Sequence, residues 1–255
     1  MFSQDLKTYS GLYHYRDGHE NEYTGGATYQ YYENDSQERI YSGYFCFFGD
    51  NGNSITEGRY KDNLKDGKWT YTIYDTLPSY SGPPKLKTIV TIIGNYENGY
   101  LDGIWSYERA ILNSKKVIAK SSLQFSAGIP IGEYTFFDNI EKSYGSMYNI
   151  STTGSFDSNG KCLGKWVTTY YSHNIEYEET REYIDSLHFK LFEKDLATGD
   201  IVKNEIVNKN LYPRNESDRS FFWGQECTEN PIFDLVPKGS IFLNYSYKKS
   251  NRGRR

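Results

Sequence analysis

Histidine and methionine are scarce in this chain, at four and two of 255 residues, and cysteine stops at three. His14, His19, His173 and His188 fall in no HExxH or HxH spacing, so no familiar metal-ligand pattern is present. Cys46, Cys162 and Cys227 form no CxxC and are odd in number. That argues against a disulfide framework or zinc site and fits free thiols in a reducing compartment. The motifs GxSxG, Walker A and GxGxxG are all missing. No apolar run approaches a membrane span, and "MFSQDLKTYSG" has neither the basic nor the apolar segment of a secretory leader. The expected compartment is the cytoplasm, with export the alternative if a leader precedes Met1.

Charge of one sign is also lacking. A net charge of -4 and a pI near 5.7 leave no electrostatic footprint for nucleic acid. Positive charge concentrates only in "KKSNRGRR", Lys248 to Arg255, which reads as a solvated end. What the chain has instead is tyrosine (26) and glycine (23), beside a hydrophobic class of only 37% and a mean hydropathy of -0.76. Tyrosine pairs a large apolar ring with a wet hydroxyl and suits half-buried surfaces. Disordered chains are poor in aromatics. The composition describes a folded, thin sheet.

The glycines recur beside aromatics. Gly58-Arg59-Tyr60 is followed nine residues on by Gly67-Lys68-Trp69, and Gly94-Asn95-Tyr96 by Gly103-Ile104-Trp105 at the same interval. A third copy has Leu123 in place of its first glycine and then Gly132-Glu133-Tyr134. The fourth pairs Gly154-Ser155-Phe156 with Gly164-Lys165-Trp166, ten apart. A degenerate copy opens the chain with Gly11-Leu12-Tyr13 and a segment around Tyr29. Steps of 36, 29 and 32 residues separate Trp69, Trp105, Tyr134 and Trp166.

Each copy reads as a β-hairpin. Asp66-Gly67, Asn98-Gly99, Asp102-Gly103 and Asn159-Gly160 offer the positive φ of tight turns. A turn centred between Leu64 and Lys65 would set Tyr60 directly opposite Trp69. Each glycine shares a strand face with its aromatic, so a neighbouring ring can cover the bare backbone. The longer fourth loop predicts a G1-type bulge near Gly160. Between copies, Val117, Ala119, Leu123 and Phe125 alternate with Lys116, Lys120, Ser122 and Gln124, the period of a half-buried antiparallel strand. The fold expected is all-β: an antiparallel meander of repeated hairpins.

These triplets resemble the MORN repeat, and more closely the MORN-like variant of bacterial antitoxin-component proteins. The likeness is clearest over residues 55–171 and looser over 9–54. It implies an open sheet in which the motif residues are structural, with a scaffold or antitoxin-like role.

Residues 1–174 are thus read as hairpin repeats and 175–255 as a mixed capping segment with a basic tail. "REYIDSLHFKLFEKDLATGD" fits either a helix or a strand leading into a turn, and Ile241, Leu243, Tyr245 and Tyr247 alternate as a closing strand. Asp17, His19, Glu20 and Glu22 read as a charged turn. "GDNGNSITE", Gly49 to Glu57, lacks the ligand spacing of a calcium loop. No catalysis, cofactor or metal is expected, with an unrecognised hydrolase in the C-terminal segment as the remaining alternative. Tyr74, Phe137 and Tyr171 face away from Trp69, Phe136 and Tyr170 and are the candidate binding residues. A partner protein is the expected ligand, with a glycan or lipid headgroup as the alternative and nucleic acid disfavoured.

Overall fold

The computed structural model describes residues 5–16, 22–49, 52, 54–77, 86–142, 146–172, 175–185 and 188–208. The sheet begins with β1 (Lys7–Arg16), β2 (Glu22–Glu33), β3 (Arg39–Gly49), β4 (Ser54–Lys61) and β5 (Leu64–Leu77). It continues through β6 (Leu86–Glu97), β7 (Tyr100–Ile111), β8 (Val117–Ser126), β9 (Ile129–Lys142) and β10 (Ser146–Phe156). The last strands are β11 (Cys162–Ser172), β12 (Ile175–Tyr183), β13 (His188–Asp195) and β14 (Ile201–Asn208). All fourteen lie in one sheet in chain order, each antiparallel to the next, and the described residues contain no helix. The fold is the all-β meander that the alternation of the sequence dictates.

The sheet runs on past residue 174 without a break. Ile175–Tyr183 and His188–Asp195 resolve the helix-or-strand ambiguity as strands β12 and β13, with the "ATGD" turn leading into β14. Ile241 to Tyr247, the basic tail and the cluster at Asp17, His19 and Glu20 lie outside the described residues. So do Asp50, Asn51 and Asn53.

One face of the sheet carries the core. Trp69 and Trp105 are wholly buried there, with Trp166, Tyr71, Tyr107 and Leu123 beside them. Each tryptophan meets the aromatic of the facing triplet edge to face. Ring centroids are 5.1 Å apart for Tyr60–Trp69, 5.1 Å for Tyr96–Trp105 and 5.0 Å for Phe156–Trp166. Such pairs contribute roughly 0.5–1.5 kcal/mol beyond the area they bury. The indole N–H groups are bonded as well. Trp69 Nε1 donates to the Arg59 carbonyl at 3.1 Å, Trp105 to Asn95 at 3.1 Å and Trp166 to Ser155 at 3.2 Å.

The turns differ from the spacing-based expectation. Lys61 pairs with Leu64, so the β4–β5 turn is Asp62-Asn63, and Tyr60 lies opposite Lys65 rather than Trp69. Asp62-Asn63, Asn98-Gly99 and Ala127-Gly128 all have positive φ at both positions, the conformation whose twist suits two-residue hairpins. Asp66-Gly67 and Asp102-Gly103 are not turns. Gly67 and Gly103, at φ 67 and 66, sit inside bulges where three residues of one strand oppose a single glycine, Gly58 or Gly94, of its partner. Gly164 does the same against Gly154. A left-handed glycine serves a turn and a bulge equally well, which is why spacing alone misplaced them. The fourth loop does close as expected. Asp157 N–H bonds the Lys161 carbonyl and Gly160 N–H the Asp157 carbonyl, with Gly160 left-handed.

The degenerate first copy is also reset. The triplet matching Gly67-Lys68-Trp69 is Gly43-Tyr44-Phe45 on β3, at a bulge opposite Tyr29 to Tyr31 on β2. Gly11-Leu12-Tyr13 instead pairs with Gly25 to Ala27. A size rule then holds across five hairpins. Where the first triplet starts with glycine, the second ends in tryptophan; where Tyr29 or Leu123 stands there, it ends in Phe45 or Tyr134.

Candidate functional site

Tyr74, Phe137 and Tyr171 all stand on the second face, away from the rings. Tyr74 and Phe137 are 38% and 36% exposed and Tyr171 is half-buried. The sheet does not bring the three together. Tyr74 on β5 pairs with Ile89, Phe137 on β9 lies between Lys120 and Ser151, and Tyr171 on β11 pairs with Glu176. Four strand spacings, roughly 19 Å at ~4.8 Å each, separate the strands of Tyr74 and Phe137.

Only Tyr74 belongs to a larger apolar surface. Phe48 on β3, 48% exposed, pairs with half-buried Ile55 on β4, which pairs with Thr72. Tyr74 is the diagonal neighbour of Ile55 on β5, within reach of an aromatic side chain, and Ile89 extends the patch onto β6. In the same row Phe48 pairs with Gly26, beyond which exposed Leu12 follows on β1. Phe48 was missed because "FCFF" reads as a continuous apolar run. The signal that finds it is parity: Phe45 and Phe47 face the rings, so Phe48 faces the other way. Cys46 shares that second face but is fully buried beside Glu57, and burial pushes its thiol pKa up. It is not an activated nucleophile.

A second cluster lies on the ring face of the last strands. Glu179 and Glu193 pair directly across β12 and β13 and are only 2% and 5% exposed. Arg181 Nε donates to Glu179 Oε1 at 2.6 Å, while Lys203 Nζ on β14 lies 3.0 Å from Glu193 Oε2. The Tyr170 hydroxyl donates to Glu193 Oε1. Burial and that carboxylate push the phenol pKa up. Burial also raises the Glu179 carboxyl pKa against the pull of Arg181. Two acids and two bases leave the cluster formally neutral. It ties β11, β13 and β14 together, and sequence period gave no hint of it. Among the described residues no three His, Cys, Asp or Glu side chains converge as a metal site would need.

No model of a known protein family matches the chain, and no curated protein matches it.

Proposed function

We propose that this chain is a non-catalytic β-repeat interaction module, scaffold or antitoxin-like in role, that binds a partner protein through its second face. The observation that carries this is the patch of Phe48, Ile55, Tyr74 and Ile89, continuous across four strands and left uncovered by the described chain. A contiguous apolar surface with a polar surround marks a docking site, and aromatic anchors dominate the energetics of such sites. The MORN-like triplets support the same class of role, since their residues serve the hairpins and leave the other face free to vary.

The test compares the parent with the double variant Phe48→Lys/Tyr74→Lys as bait in native lysate, with quantitative mass spectrometry. Specific partners should be lost from the variant while its thermal unfolding stays that of the parent. An unchanged set of captured proteins would remove the patch from the proposal.

A further inference from the structure

We propose that Lys65 is a proton-sensitive latch between the β4–β5 and β6–β7 hairpins, closed when its amine is neutral and loosened when the amine takes up a proton. The position repeats. Two residues before the left-handed glycine stand Tyr41, Lys65, Leu101, Pro130 and Cys162, so the slot is otherwise filled without a charged side chain. In three copies the backbone of this slot holds the next turn. Asn63 N–H bonds the Tyr41 carbonyl at 2.8 Å, Gly99 N–H the Lys65 carbonyl at 2.9 Å and Gly128 N–H the Leu101 carbonyl at 2.7 Å.

The side chain of Lys65 reaches over the same seam. Its Nζ lies 4.4 Å from the Trp69 ring centre and 5.2 Å from those of Tyr71 and Tyr96. It donates to the Tyr71 hydroxyl at 2.8 Å, and that hydroxyl is 3.1 Å from the hydroxyl of Tyr96 on β6. A charged ammonium has three donors, and one oxygen meets it here. No carboxylate pairs with it among the described residues. The titratable groups on this face of β3 to β7 are the phenols of Tyr41, Tyr60, Tyr71, Tyr96 and Tyr107. The charged groups there are Arg39, which donates to the Tyr29 hydroxyl at the start of β3, and Asp75 and Arg109, which pair with each other near the far ends of their strands.

Lys65 as a residue is half-buried, but its amine sits under the three rings, and that loss of water pushes its pKa down to about 7. The ring faces attract the cation and work against that shift. A lowered amine pKa means that the folded chain holds fewer protons than the unfolded chain between neutrality and the ordinary lysine range. Stability then rises with pH across that interval, and on acidification the contribution is lost through the same interval and levels off below about neutrality.

Two measurements test this. Carbon-13 NMR of the lysine Cε groups in the parent should show Lys65 titrating near neutrality, apart from the other lysines. Denaturant unfolding from pH 6 to 10 should show the parent's unfolding constant falling by up to about tenfold per pH unit above neutrality. Lys65→Met should lose that slope. Lys65→Leu, the residue of the next copy's slot, replaces it if the first variant does not fold. A Lys65 signal that moves with the other lysines, or an equal slope in the variants, overturns the proposal; the NMR arm needs no variant.

Discussion

The indole of Trp69 lies across Gly58 so closely that a Cβ on the glycine would stand 2.2 Å from the ring. Gly94 meets Trp105 at 2.0 Å and Gly154 meets Trp166 at 2.1 Å in the same way. The ring fills the space that glycine vacates, and the bulge opposite gives the indole room to lie flat.

Gly58→Ala should therefore cost about 1–3 kcal/mol, the usual penalty of overpacking a tight site. Gly26, on the second face of β2, has no heavy atom within 4 Å of the same position and provides the control. Gly26→Ala should leave stability unchanged or raise it by roughly 0.5–1 kcal/mol, because alanine loses less chain entropy than glycine. Urea titrations of both variants check this, and equal midpoints would refute the ring-over-glycine account.

The third hairpin offers a coupled test. Leu123 pairs with Tyr134 where other copies set glycine against tryptophan. Tyr134→Trp alone should destabilise by overpacking, and Leu123→Gly alone by leaving a cavity. The double variant restores the glycine-tryptophan pairing and should be more stable than the two single losses add up to. A coupling energy of about 0.5–3 kcal/mol is the expected range for contacting residues. Simple additivity in a double-mutant cycle would count against the size rule.

Removing the rings themselves should be costly. Trp69→Ala, Trp105→Ala and Trp166→Ala should each lose about 3–5 kcal/mol, the range for truncating a buried aromatic. Denaturant midpoints matching the parent would contradict the burial described.

Ala127 is the one alanine in a left-handed conformation, at φ 48, among the described residues. Its counterpart in the preceding hairpin is Asn98. Ala127→Asn should raise stability by about 1 kcal/mol, because asparagine tolerates that region and alanine does not. An unchanged or lower melting temperature would show the turn to be set by something other than its backbone.

Acid should strengthen the last strands. Burial raises the Glu179 carboxyl pKa, so the folded chain holds its proton to a higher pH than the unfolded chain does. Its contribution is present below the ordinary glutamate range and is lost as pH rises through the raised value. Glu179→Gln should abolish that slope in unfolding measured just above pH ~4.5. A slope that persists in the variant would assign it to another group.

Strand alternation and hairpin repetition were legible because both are local. Ala119, Leu123 and Phe125 face the core and Lys120 and Gln124 do not, as their period requires. The ring over the glycine was legible too, since Gly58 and Trp69 differ in bulk in complementary ways. Tyr74 and Phe137 could be assigned to the second face by parity. Their distance from each other could not, because it depends on how many strands intervene. Phe48 and Glu179 lie further from what a local pattern reports: the first needs a neighbour's register, the second a partner on another strand.

Side-chain period and glycine placement act within a few residues, and they suffice to make this chain a meander of antiparallel hairpins. Which glycines turn the chain and which bulge it depends on strand pairing. A left-handed glycine has the same φ in both settings, and the ladder around it makes the difference. The same ladder put Lys65 among three rings and Glu179 against Glu193. Burial of a charged group is a property of what pairs beside it, and pairing is fixed by register across strands.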